Sequence, residues 1–359
     1  MNNRERFIKC MNFESIEHPP IMISGLWEET RRRWEKEGLP KNCGQDGLYG
    51  YFGIEPFRTQ HIKADTLMLP PFNEKIISEN TEYIIKINKD GVTEKNFRDG
   101  SSMPEFIEYP VKTSEDISWL KEKLNPENPD RISKDWLGQA QAGQKEGVLQ
   151  LCNGGMYFAF LNEHMGTERL LLEYYDHPEF IQAVNDLQCA CCEKVLRTVL
   201  PELKLDFIGY HEDMAFKTGP LISPDLFRET MTPYYKRITA ITEKYGVNLH
   251  YMDSDGDITR LIPLWLDCGI SIMSPLERAA GMDPVLLRKE YGKSLSMIGG
   301  FDKRILAAGK TEIKKEMKRL EPVISSGGFI PACDHSVPPD VSLENYRYFI
   351  ECQKVLYGV

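Results

Sequence analysis

From Val148 to the C-terminus the chain alternates between two kinds of segment. Short apolar runs that end in polar or acidic residues occupy 148–153 (VLQLCN), 206–213 (DFIGYHED), 247–255 (VNLHYMDSD), 269–277 (GISIMSPLE), 295–302 (LSMIGGFD) and 328–335 (GFIPACDH). Between them, amphipathic patterns at helical spacing fill 166–198, 224–244, 258–267, 283–291, 310–325 and 342–355. A strand followed by a crossover helix meets the next strand in parallel, so this order constrains the chain to a parallel sheet wrapped by helices. Six such units, with PIMIS (20–24) and TLMLP (66–70) upstream, make eight candidate strands. That count predicts a distorted (β/α)8 TIM barrel, with residues 1–359 forming one domain. A doubly wound sheet is the rival, but no GxGxxG follows the first strand.

Residues 1–145 read as an N-terminal extension of irregular pattern. Trp27 to Glu37 has helical charge and aromatic spacing and stops at Gly38-Leu39-Pro40. EYIIKI and VTEKNF flank Asn88-Lys89-Asp90-Gly91, an Asp-Gly turn signal, which predicts a small β-hairpin insertion around 73–98. Ser114-Glu115-Asp116 opens a helix over 114–124.

Charge narrows the partners. There are 54 acidic residues against 44 basic ones, a formal charge of −10, which argues against nucleic acid and acidic membrane. The amino terminus is polar and basic without an apolar stretch behind it, unlike a secretory signal, and no run is apolar enough to span a bilayer. The nine cysteines are scattered, with neither a disulfide framework nor CxxC pairs at zinc-ribbon spacing. These features predict a cytoplasmic protein. The Arg31-Arg32-Arg33 run reads as a solvated helix face, with a carboxylate clamp as its alternative.

The carboxyl ends of barrel strands form the active-site face. Here they supply His211-Glu212-Asp213, Asp253-Ser254-Asp255-Gly256-Asp257, Glu277, Asp302-Lys303-Arg304 and Cys333-Asp334-His335. Each acid alone is as well explained as a turn former or helix cap. Several carboxylates converging on one mouth need a cation, basic partners or shared protons. As a calcium loop the 253–257 cluster is incomplete, because Leu264 stands where the twelfth-position Glu belongs. Cys333 and His335 offer a thiol and an imidazole two positions apart, suited to a metal or to a nucleophile and its base. A buried thiol beside a capping His is the bland alternative. His250 lies inside an apolar strand, where a hydrogen-bonded core histidine competes with a ligand or substrate contact.

These residues carry a resemblance. GGFIPACDHSVPPDVSLENYRYFIE (327–351) resembles the last unit of the uroporphyrinogen decarboxylase superfamily. GPLISPDLFRETMTPYYKRI (219–238) resembles its SPxxFRE…P helix, and RERFIKCMNFESIEHPPI (4–21) looks like its opening segment. The M-R-Q-A-G-R-Y segment of true uroporphyrinogen decarboxylases is absent from the comparable stretch 25–40. The resemblance is therefore to the superfamily's other branch, metal-assisted methyltransferases that exchange methyl groups with a corrinoid protein. Their H-x-C zinc motif aligns with Asp253-Ser254-Asp255, so Asp replaces both first ligands, while Cys333 falls where their last Cys falls. A harder, more oxygen-rich site suits the polarisation of an ether oxygen, as in O-demethylase components.

The resemblance thus implies transfer of methyl from a small O-methyl compound, such as an aryl methyl ether, to a corrinoid protein. Zinc would be held by Cys333 and Asp255 with Asp253 or Glu277, and cobalamin would be carried by the partner. His335, Glu212 and Asp302 are the expected proton-handling residues; His250, Asp213, Lys303 and Arg304 are expected at the substrate. Two alternatives stand beside it. One is a metal-free decarboxylase with Lys303 and Arg304 on the carboxylate and Asp302 or His335 managing the proton. The other is a non-catalytic small-molecule-binding subunit.

Overall fold

The computed structural model describes residues 1–98 and 103–359. Thirteen strands are defined among them: β1 (Thr59–His61), β2 (Lys75–Glu79), β3 (Tyr83–Ile87), β4 (Thr93–Phe97), β5 (Glu105–Glu108), β6 (Leu149–Asn153), β7 (Phe207–His211), β8 (Ala215–Phe216), β9 (Gly219–Pro220), β10 (His250–Asp253), β11 (Ile272–Ser274), β12 (Ser296–Phe301) and β13 (Phe329–Cys333). Seven of them form one curled parallel sheet in the order β1-β6-β7-β10-β11-β12-β13. All six apolar runs from Val148 onward supply a strand of this sheet, with helices packed outside. The architecture is a distorted TIM barrel.

The two upstream strands differ from expectation. TLMLP (66–70) is loop; the strand paired with β6 is the polar tripeptide Thr59-Gln60-His61. PIMIS (20–24) forms no strand ladder. Just beyond it the chain runs beside the continuation of β13, where Val337 N donates to Gly25 O (2.8 Å), Trp27 N donates to Val337 O (3.3 Å) and Leu26 bridges Val337 in parallel. This segment stands where an eighth strand would. The expected hairpin at 73–98 is part of a larger unit, since β2-β3-β4-β5 form a four-stranded antiparallel sheet. The Asn88–Gly91 turn does join β3 to β4, with Asn88 Oδ1 accepting from Asp90 N and Val92 N.

Most expected helices are present, though prolines divide two of them. The 166–198 pattern becomes Thr167–Asp176 and Pro178–Val199, and 224–244 becomes Pro224–Thr230 and Thr232–Glu243. Pro lacks the N–H that a continuous helix needs and fits the first turn of a new one. No helix among the described residues is long and apolar enough to cross a membrane.

Strand side chains alternate between two apolar layers. Leu149, Leu151, Phe207, Leu249, Ile272, Ile298 and Ile330 point into the barrel, where Phe7, Cys10 and Met11 of helix Asn3–Met11 close its amino-terminal end. The opposite faces pack against the surrounding helices. The closing helix is tied down by Arg4, whose Nε and Nη2 meet both oxygens of Asp206 at 2.9 and 2.7 Å. Asp206 also accepts from Gln150 N at 2.8 Å. Removing one partner of such a pair leaves a charge and an amide without partners. Asp206→Ala is therefore expected to lower unfolding stability by about 3 kcal/mol in a denaturant titration. Disrupting the solvent-facing Arg33–Glu37 pair is expected to cost under about 1 kcal/mol.

Candidate active site

One cavity of about 870 Å³ opens among the strand ends and reaches down the barrel axis. Strand alternation decides what enters it. Counting inward positions from Phe207 on β7 gives Gly209 and His211; counting from Leu249, just before β10, gives Tyr251 and Asp253. All four later residues line the cavity. Because β7 and β10 are parallel with His211 opposite Asp253, the two side chains meet at the same height.

His211 sits in a cage of acids. Its Nδ1 lies 3.2 Å from Asp253 Oδ2, and its Nε2 lies 3.5 Å from Asp213 Oδ2 and 3.8 Å from Glu163 Oε1. The hydrogen bond to Asp253, aided by the nearby acids, raises the imidazole pKa to about 9 against the effect of burial. Burial raises Asp213, and burial with neighbouring acids raises Glu163 to about 7 despite His211. Asp213 Oδ1 also accepts from Asp255 N at 3.0 Å, linking the loops after β7 and β10. In that second loop Gly256 has φ +82°, and a Cβ there would meet Ala215 O at 2.3 Å. Only glycine lets the β8-β9 hairpin lie against the rim.

A second imidazole–carboxylate pair shares the cavity. His335 Nε2 lies 3.3 Å from Asp255 Oδ2, and this contact raises the imidazole pKa. The Trp27 ring is nearly parallel to His335, with centroids 6.3 Å apart. Of the expected site residues, the structure thus brings Asp213, Asp253, Asp255 and His335 to one cavity, which Cys333 borders while its thiol packs in the layer behind.

The others are placed elsewhere. Glu212 follows His211 and so points out of the barrel. Fully buried, it accepts from the Tyr157, Phe158 and Ala159 amides and from Tyr235 Oη. It anchors the start of the helix after β6 and does not face a substrate, a correction to its expected proton-donor role. Asp302 caps the helix Lys303–Ala308 and binds the Arg304 guanidinium; burial would raise its carboxyl, but these contacts hold it below the usual range. Lys303 Nζ pairs with Glu277 Oε1 at 3.2 Å. Asp302, Lys303, Arg304 and Glu277 do not line the cavity. His250 is an outward residue of β10, buried between Tyr210 Oη (3.1 Å) and Thr242 Oγ1 (3.0 Å), and burial lowers its pKa to about 4. It is a core histidine.

The expected zinc set is not assembled. Cys333 shares the face of Phe329 and packs in the layer between sheet and helices; burial pushes its thiol up to about 12. Asp253, Asp255 and Glu277 are each engaged by a basic side chain. Among the described residues, no group of three or more His, Cys, Asp or Glu side chains is arranged to hold a metal ion. The donor set present does not fit a zinc centre.

His211, named at a strand end, was given no role, and Glu163 and Trp27, which stand beside His211 and His335, were not singled out for the site. His211 had a signal, its parity with Phe207. Glu163 and Trp27 arrive on segments whose approach to the mouth only the fold determines. The cavity floor is a chain of rings in contact: Phe57–Phe7 (5.6 Å), Phe7–Phe207 (5.5 Å) and Phe207–Tyr251 (6.1 Å between centroids).

Comparison with known proteins adds the following. Residues 144–355, more than half of the chain, match the family described as Uroporphyrinogen decarboxylase (URO-D). A solved structure of a methyltransferase from Methanosarcina mazei is similar over 99% of this chain and 99% of its own, at 12% identity and a TM-score of 0.62. A B12-independent methionine synthase from a Shewanella species, solved with selenomethionine, aligns over 96% of this chain and 95% of its own, at 10% identity and a TM-score of 0.42. No curated protein matches. The Methanosarcina protein shares the fold.

The His211 cage makes a pH prediction. A histidine whose folded pKa lies above its unfolded value of about 6.5 lends stability that is complete below that value and lost as pH rises through the folded pKa. An NMR titration of the His211 ring is expected to show a midpoint near 9. In Asp253→Asn the midpoint should fall toward about 6.5, since the first-named cause is removed.

Proposed function

The chain belongs to the uroporphyrinogen decarboxylase family, and within that family we propose that it is an enzyme moving a methyl group from a small O-methyl compound, an aryl methyl ether, to a corrinoid protein. The observation that carries this reading is the pairing of His335 with Asp255 in a cavity whose described lining residues include no unpaired Arg or Lys. Removing methyl from an ether leaves the electron pair on oxygen, and the departing oxygen then needs a proton. Asp255 shifts His335 toward its protonated form, and the ring lines the cavity, so the Nε2 proton it shares with Asp255 can pass to the departing oxygen. The methyl carbon–oxygen bond breaks as the acceptor's electron pair bonds to the methyl carbon. When its carrier docks, the corrinoid supplies a reduced, strongly nucleophilic centre for that attack. Phe216, 60% exposed on the β8-β9 hairpin beside the 254–257 loop, gives the rim apolar surface for such a carrier. No step is routed through zinc, whose ligands are not assembled.

The decarboxylase alternative loses its residues. Lys303 and Arg304, expected to hold a substrate carboxylate, are engaged by Glu277 and Asp302 outside the cavity. Arg58, the one arginine among the cavity-lining residues, binds Asp46 through both guanidinium contacts at 3.0 Å.

The test compares donors with different leaving groups, using reduced corrinoid carrier as acceptor. With 2-methoxyphenol, His335→Gln is expected to lower kcat by about 10²–10⁴-fold. With 4-nitroanisole, whose phenolate leaves without a proton, the loss should be far smaller. Equal losses with both donors, or none with either, would remove His335 from proton delivery. Absence of transfer from any methyl ether by the unaltered protein would overturn the reading itself.

A further inference from the structure

The cavity is divided by chemistry along its depth. Its floor is the contiguous aromatic chain Phe57–Phe7–Phe207–Tyr251, and its upper wall carries Asp213, Asp253 and Asp255 with Glu163 beside them. Among the lining residues described, the basic groups are engaged or, in the case of His61, shifted by burial toward the uncharged form. Both ring nitrogens of His211 face carboxylates, and His335 Nε2 faces Asp255. Arg58 is turned to Asp46, and no lysine is among the lining residues described. An anionic substituent entering here finds no free cation and meets several acids, whereas an uncharged ring finds apolar and aromatic surface.

Resting on the methyl-transfer reading for its site, we infer that the cavity selects an uncharged aromatic methyl ether and rejects carboxylated relatives. The aromatic floor takes the ring, and the Asp213–His211–Asp253 cluster excludes the anion. Asp213 and Asp253 are the specificity-determining residues of this arrangement, and they act through charge. The cavity volume of about 870 Å³ lies within the roughly 300–1,000 Å³ range of small-molecule sites, so it accommodates a single-ring donor.

Calorimetric titration of the full chain, without any methyl acceptor, tests this apart from transfer. The probes are 2-methoxyphenol and its 4-carboxylated derivative, 4-hydroxy-3-methoxybenzoate. The uncharged ether is expected to bind at least about tenfold more tightly, about 1.4 kcal/mol. At about pH 5.5, where His211 stays protonated in either variant, Asp213→Asn and Asp253→Asn should each narrow that ratio by strengthening the carboxylate's binding, with the ether's affinity little changed. Phe207→Leu, chosen to keep the floor filled, should weaken the uncharged ether while thermal melting shows the fold intact. Equal or tighter binding of the carboxylate overturns the inference, as does absence of binding by both probes or an unchanged ratio in the Asn variants. Selective binding without transfer would sustain this inference and sink the methyl-transfer reading instead.

Discussion

The structure depends on the alternation of side chains along strands that are covered on both faces. In such a sheet a single step along the chain moves a residue from the barrel interior to the layer under the helices. His211 and Glu212 are neighbours in sequence, yet one faces the cavity and the other is sealed beneath the helix that follows β6. The same step separates Asp253 from the preceding outward residues of β10, His250 and Met252. Because β7 and β10 pair in register, the inward residues at their ends meet side by side. The acid-caged imidazole is a consequence of that register.

Buried carboxylates then hold the loops from which the mouth is built. Glu212 gathers three successive amides at a helix start and a tyrosine hydroxyl. Asp334 is likewise fully buried and accepts from Arg278 N and Lys303 N, both at 2.9 Å, so it joins the loops after β11, β12 and β13. An unpaired buried charge costs several kcal/mol, so displacing either loop set would be unfavourable. His335 directly follows Asp334, and its position over the cavity is inherited from this staple. These acids support the active face without contacting what binds there.

The fold was legible where the sequence is periodic. Six apolar runs gave six strands because buried parallel strands must be apolar on both faces. β1 escaped because Thr59-Gln60-His61 has no apolar run, being three polar residues paired with β6. TLMLP has the composition of a strand but runs as loop, which no local pattern reveals. The site was legible in part. Acids at strand ends identified the correct face, and Asp253, Asp255 and His335 do share the cavity. Choosing Glu212 over His211 passed over the parity set by Phe207. Cys333 looked like a ligand from spacing alone, whereas parity with Phe329 puts its thiol in the outer layer. Lys303 and Arg304 sit near the mouth in sequence, but their acidic partners are supplied by tertiary contacts and by the helix cap at Asp302.

One arrangement of charge bears on both halves of the proposed chemistry. A carboxylate beside an imidazole favours its protonated form, which an acid donor to a leaving oxygen requires. The same carboxylates pair with the cavity's imidazoles, so the described lining residues offer an anionic substrate no unpaired positive group. A decarboxylase needs the opposite distribution, with cations exposed to the substrate's carboxylate and acids kept away from it. In this chain the arginine and lysine side chains near the mouth are neutralised by Asp46, Asp302 and Glu277, while the imidazoles are the groups left facing the cavity. A site that stores protons on histidines and offers no anion clamp is suited to releasing an oxygen from carbon in an uncharged molecule.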